Sequence, residues 1–175
     1  GNLKLTGNVE IGGSCNLVVK GNVYITGDFN IGGASRITVD NSVGGTRPVI
    51  MVDGKITVGG SAQLIANSSG TGLQLISFWS SASCNPNCTN LSGNDLRNSS
   101  IVETVSVGGA ANLSGMVFQS YWGKIKIGGS GTLGSAIGQT VDLDGAGTLT
   151  FGTTLSSGSK TWTISSYQQK YPGQP

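Results

Sequence analysis

The chain contains no histidine. That absence excludes Ser-His-Asp and Cys-His catalysis and histidine-based metal sites within these residues. Charge is also scarce, with ten Lys plus Arg against eight Asp plus Glu and a formal balance of +2. Lys124 and Lys126 are its densest basic group, so there is no patch for nucleic acid. No hydrophobic run is long enough to span a bilayer. The chain opens at Gly1 without methionine and reads as a processed or trimmed piece, so membrane attachment is expected only through a segment upstream.

Three cysteines occur. Cys84 and Cys88 flank Asn-Pro-Asn in "SCNPNCTN" and suggest a small disulfide-closed loop, which suits an oxidising compartment. A free thiol pair is one alternative. A Cys-x3-Cys metal site is another, but it lacks a second cysteine pair or a histidine to complete a tetrahedron. No cofactor is expected.

What the chain has in abundance is glycine, thirty residues of it, mixed with Ser, Thr and Asn. Regularly placed aliphatics among them supply apolar surface to bury, so the composition reads as globular and β-rich rather than disordered. The first forty residues divide into "GNLKLTGNVEIGGSCNLVVK" and "GNVYITGDFNIGGASRITVD", identical at eight positions. "VEIGGSCNL" returns as "FNIGGASRI", "ITVGGSAQL", "VSVGGAANL", "IKIGGSGTL" and "VDLDGAGTL", which makes six copies.

Aligned, the copies give three apolar columns. The first is Val9, Phe29, Ile56, Val105, Ile125 and Val141. The second is Ile11, Ile31, Val58, Val107, Ile127 and Leu143. The third is Leu17, Ile37, Leu64, Leu113, Leu133 and Leu149. A further column is always glycine, from Gly13 to Gly145. Alternation of period two makes short strands with one buried face, and the Gly-Gly pairs make corners. A period near twenty residues signals a solenoid. The expected fold is all-β: one right-handed, single-stranded parallel β-helix of six to eight rungs spanning 1–175. Cys15 shares a column with Ser35, Ala62, Ala111, Gly131 and Gly147, and is expected as a buried thiol filling a corner.

The copies are separated by 20, 27, 49, 20 and 16 residues. The longest gap holds a strand, "GLQLISFWS", and then a polar insertion at 81–100; the segment 40–49 is a shorter excursion. The non-repeating tail at 158–175 is expected to cover the last rung through Trp162 and Ile164, whereas the rung at Gly1 has no comparable cover.

Chemistry is thin. Asp142 and Asp144 lie two apart on one strand, while Asp28, Asp40 and Asp53 fall at corners. They read as solvated carboxylates rather than a glycosidase pair. One "DLDGAG" does not make a calcium roll. The outward columns (Glu10, Asn30, Thr57, Ser106, Lys126, Asp142; and Asn16, Arg36, Gln63, Asn112, Thr132, Thr148) lack the threonine ranks of an ice-binding face. The chain is not expected to be an enzyme. Candidate partner contacts are Phe78, Trp79, Tyr121 and Trp122, with Asn85 and Asn87 in the insertion. Packing of those aromatics beneath the insertion is the competing expectation.

The order "RPVIMVDGKITVGGSAQL", "GLQLISF", a cysteine-containing loop, then "VSVGGAANLSGMVFQSYWGKIKIGGSGTLGSAIGQTVDLDGAGTLTF" and "TWTISSYQQKYPG" resembles the C-terminal β-solenoid domain of bacterial PilX-type pilus assembly proteins. The resemblance runs from about Gly21 to Tyr171 and rests on a repetitive glycine-rich pattern. It implies a minor or tip component of a type IV pilus-like filament, extracellular or at the cell surface, working in assembly or adhesion. The implied partners are other pilus or cell-surface proteins, or a surface glycan. No catalytic residue is carried over. Two alternatives stand beside it: a self-assembling solenoid subunit, and a carbohydrate-binding or carbohydrate-acting β-helix.

Overall fold

The structure is a computed structural model that describes residues 2–79 and 103–149. Among the described residues, sixteen short strands wind through six coils, each crossing three faces. The first face is a six-stranded sheet of β2 (Val9–Ile11), β5 (Phe29–Ile31), β8 (Ile56–Val58), β11 (Glu103–Val107), β13 (Lys124–Ile127) and β15 (Thr140–Leu143). The second holds β3 (Asn16–Val19), β6 (Arg36–Val39), β9 (Gln63–Ile65), the opening halves of β12 (Asn112–Ser120) and β14 (Thr132–Ile137), and β16 (Thr148–Leu149). The third holds β1 (Leu3–Leu5), β4 (Val23–Ile25), β7 (Val49–Val52), β10 (Gln74–Ser77) and the closing halves of β12 and β14. Because β12 and β14 pass from the second face to the third, those two faces join into one ten-stranded sheet. Every strand pair is parallel. This is the parallel β-helix expected from the repeat.

The register follows the aligned copies. Val9 pairs with Phe29, Phe29 with Ile56, Ile56 with Val105, Val105 with Ile125 and Ile125 with Val141. Like therefore stacks on like, and Phe29, Ile56, Val105, Ile125 and their neighbours two positions on are buried. Each such side chain contributes about 1.5–3 kcal/mol on leaving water. The third face adds columns that the copies did not contain. One runs Leu3, Val23, Ile50, Leu75, Phe118, Ala136; the other runs Leu5, Ile25, Val52 and then Ser77 and Ser120.

Glycine sets the tightest corner. Gly13, Gly33, Gly60, Gly109, Gly129 and Gly145 all have φ between 62° and 66°, a left-handed conformation that costs other residues energy. Polar side chains secure a second corner: Asn8 Oδ1 accepts the Asp28 N–H at 2.9 Å, and Asp28 Oδ1 accepts the Lys55 N–H at 2.8 Å. Asp28 is thus a turn-builder. At the 40–49 excursion, Asp40 caps a 3-10 turn (Asn41–Val43) by accepting the Ser42 N–H at 2.9 Å. Those bonds hold its carboxyl below the usual carboxylate range.

Two expectations need correction. Cys15 is exposed, not buried, although Ser35, Ala62 and Ala111 in its column are buried. Nor is every aliphatic ladder buried along its whole length: Leu17 in the first coil, and Val141 and Leu143 in the sixth, are exposed. The cause is the same in both cases. A solenoid residue is covered by the coils on either side, and the first and sixth coils have a described neighbour on one side only. Cys84, Cys88, Asn85, Asn87, Trp162 and Ile164 lie outside the described residues, as do the insertion 81–100 and the tail 158–175.

Candidate aromatic corner

Between the third and first faces, successive coils turn in register. The Phe78 N–H donates to the Val52 carbonyl at 2.8 Å, and the Tyr121 N–H to the Ser77 carbonyl at 2.9 Å. Phe78 and Trp79 of the fourth coil are thereby set beside Tyr121 and Trp122 of the fifth. The Phe78 and Tyr121 ring centroids are 5.6 Å apart and tilted; Tyr121 and Trp122 meet edge to face at 4.4 Å. Such arrangements suit the ring quadrupole. Lys55 of the third coil places its Nζ 4.5 Å from the Trp79 centroid, a cation–π contact. Tyr121 is 49% exposed; Phe78, Trp79 and Trp122 are half-buried.

Beneath the rings the interior turns polar. Ser77, Thr104 and Ser120 are all buried. Ser77 Oγ donates to the Gly54 carbonyl at 2.7 Å and accepts the Trp79 N–H at 3.3 Å. Ser120 Oγ accepts the Gly123 N–H at 3.0 Å and is hydrogen-bonded to Thr104 Oγ1. These hydroxyls tie down the strand ends flanking the insertion, after Ser77 and at Thr104. Satisfied polar groups in a low-dielectric interior hold one geometry, because any displacement leaves a donor or acceptor unpaired.

The four aromatics expected as partner contacts are therefore brought to one corner. Lys55, Ser77, Thr104 and Ser120 were not anticipated. Their signal is "SFW" at Ser77–Trp79 against "SYW" at Ser120–Trp122: a serine that interrupts an aliphatic alternation, followed by an aromatic and a tryptophan, in two successive coils. It lies outside the nine-residue phrase on which the copies were aligned.

The carboxylates sit elsewhere. Lys124 Nζ lies 3.5 Å from Asp142 Oδ2, and Lys126 Nζ lies 3.4 Å from Asp144 Oδ2, so each aspartate of the "DLDG" pair faces a lysine of the preceding coil. Asp53 accepts the Tyr24 hydroxyl, a bond that raises the phenol above its ordinary pKa, with burial and the carboxylate charge adding to the effect. No protein family, characterised protein or solved structure matches this chain at a significant level.

Proposed function

We propose that the chain is an extracellular structural and adhesive module, a stiff rod that presents the aromatic corner to a partner on a pilus or cell surface. The observation that carries this reading is the corner itself. Four aromatic side chains and a lysine from three coils converge there, one ring half in solvent, over hydroxyls that fix the strand ends. Aromatic residues held in place lose little entropy on binding and commonly dominate interface energetics. Placement as a minor or tip component of a type IV pilus-like filament is supported by the resemblance to PilX-type solenoids. Stacked backbone ladders and aliphatic columns suit a part whose task is to hold shape.

Tyr121→Ala and Trp122→Ala, made in the protein that carries this module, test the reading. Both are expected to weaken adhesion to the cognate surface at least tenfold, about 1.4 kcal/mol, with thermal unfolding little changed. Unaltered adhesion by both variants refutes the corner as the contact. Loss of binding by the unsubstituted protein when free sugar is added as competitor would identify the partner as a glycan.

A further inference from the structure

The outer surfaces of the rod are not alike. The outward column of the first face, from Glu10 to Asp142, is polar or charged in every coil. On the third face the outward positions of β7, β10 and the closing halves of β12 and β14 carry no charge. Val49, Met51, Ile76, Val117 and Ile137 hold most of them, and Ile137 is 52% exposed. The rest are Gln74, Gln119 and Ser135. Gln74 Nε2 donates to Gln119 Oε1 at 3.1 Å across neighbouring coils. Each amide keeps further capacity, an acceptor on Gln74 and a donor on Gln119. With β4 the face is five strands long at about 4.8 Å per strand, and about 20 Å wide between corners, on the order of 500 Å². A flat, uncharged, largely apolar area of that size is uncommon on a monomer. Two of them together bury roughly 1,000 Å², where specific interfaces begin.

We propose that the third face packs against the third face of a second copy, side by side, about a two-fold axis parallel to the rod. Packed sheets lie about 10 Å apart, so the outward side chains of both copies interdigitate. The axis runs over the inward column Ile50, Leu75, Phe118 and Ala136, and sets each coil opposite its own counterpart. Val49 then faces Met51 of the copy, and Met51 faces its Val49. Gln119 comes beside Gln74 of the copy, one coil away, and the two-fold repeats that meeting. The spare donor of Gln119 thus finds the spare acceptor of Gln74 in both directions, which leaves no amide unpaired at the centre of the contact. The only other two-fold that brings these faces together through the same centre runs along the strands. It would set Val49 against Ser135 and leave the amides facing aliphatic side chains. A two-fold contact uses one patch on both subunits and closes at two. The aromatic corners fall on opposite edges of the pair, so this contact does not rest on the function proposed for them.

Mass in solution over a concentration series tests the proposal. The 17.7 kDa chain is expected to double in mass and then to stop. Ile76→Lys is expected to return it to a monomer, with thermal unfolding of the monomer little changed because the side chain points out of the rod. Val49→Lys alone and Met51→Glu alone are each expected to weaken the dimer at least about tenfold, by burying a charge without a partner. Together they are expected to restore it, since the two positions face each other twice. A monomer at every concentration overturns the proposal, and a loss of stability in Ile76→Lys would then show that another part of the same chain covers the face. Growth beyond two subunits, or a double variant that stays monomeric while folded, overturns it as well.

Discussion

A Cβ placed on Gly60 would stand 2.5 Å from the carbonyl oxygen of Gly33, one coil earlier. The same relation ties Gly33 to Gly13 and Gly129 to Gly109. The glycine column is therefore a close approach of backbones as well as a set of positive-φ corners. Gly60→Val must strain φ and also push two coils apart. A loss of about 3 kcal/mol or more is expected, read as a fall in denaturation midpoint. Gly59→Ala is the matched control, since a Cβ there meets nothing within 4 Å.

Truncation cost should depend on position along the rod. Ile56 and Leu113 are wholly buried, and Ile56→Ala or Leu113→Ala is expected to cost about 2–5 kcal/mol. Val9 occupies the same column as Ile56 but is only half-buried, so Val9→Ala should cost less than half as much. Equal costs in chemical denaturation would contradict the columnar interior.

Ser120→Ala removes a hydroxyl that serves Thr104 and the Gly123 N–H. Leaving those groups unpaired is expected to cost about 1–3 kcal/mol. Adding Thr104→Val should cost less than the sum of the single changes, because the two hydroxyls share one bond. Additive losses in a double-mutant cycle would show that the pair is not coupled.

The Tyr24–Asp53 bond predicts an alkaline limit. The folded phenol titrates above its unfolded value of 10.0, chiefly because it donates to Asp53. Its contribution to stability is present in full below pH 10.0 and declines as pH rises through the elevated folded value. Tyr24→Phe should remove that part of the high-pH decline in melting temperature. Asp40 acts in the opposite direction: its depressed carboxyl contributes above the usual carboxylate range and the contribution is lost as pH falls through the folded value. Asp40→Asn should flatten the acid limb.

The rod was legible in advance because its signal is local and repeated. Val9-Glu10-Ile11 and its five later versions carry strand period, corner glycine and register together, and stacking places each on the next. The aromatic corner was only half legible. Phe78, Trp79, Tyr121 and Trp122 stood out as large apolar residues in polar surroundings, but 42 to 44 positions separate the members of the two pairs. Lys55 belongs to a coil earlier still, and nothing in its neighbourhood distinguishes it. Cys15 was misplaced because column membership implies burial only for a coil that is covered on both sides.

Composition and periodicity were thus enough to specify a parallel coil and the inward or outward direction of most of its side chains, since a strand's alternation is set by its own backbone. Which residues meet at a corner and which serines replace aliphatics beneath it were settled only in three dimensions. Those features depend on how many residues each coil spends between faces, and loop length enters the packing without leaving a local mark in the chain.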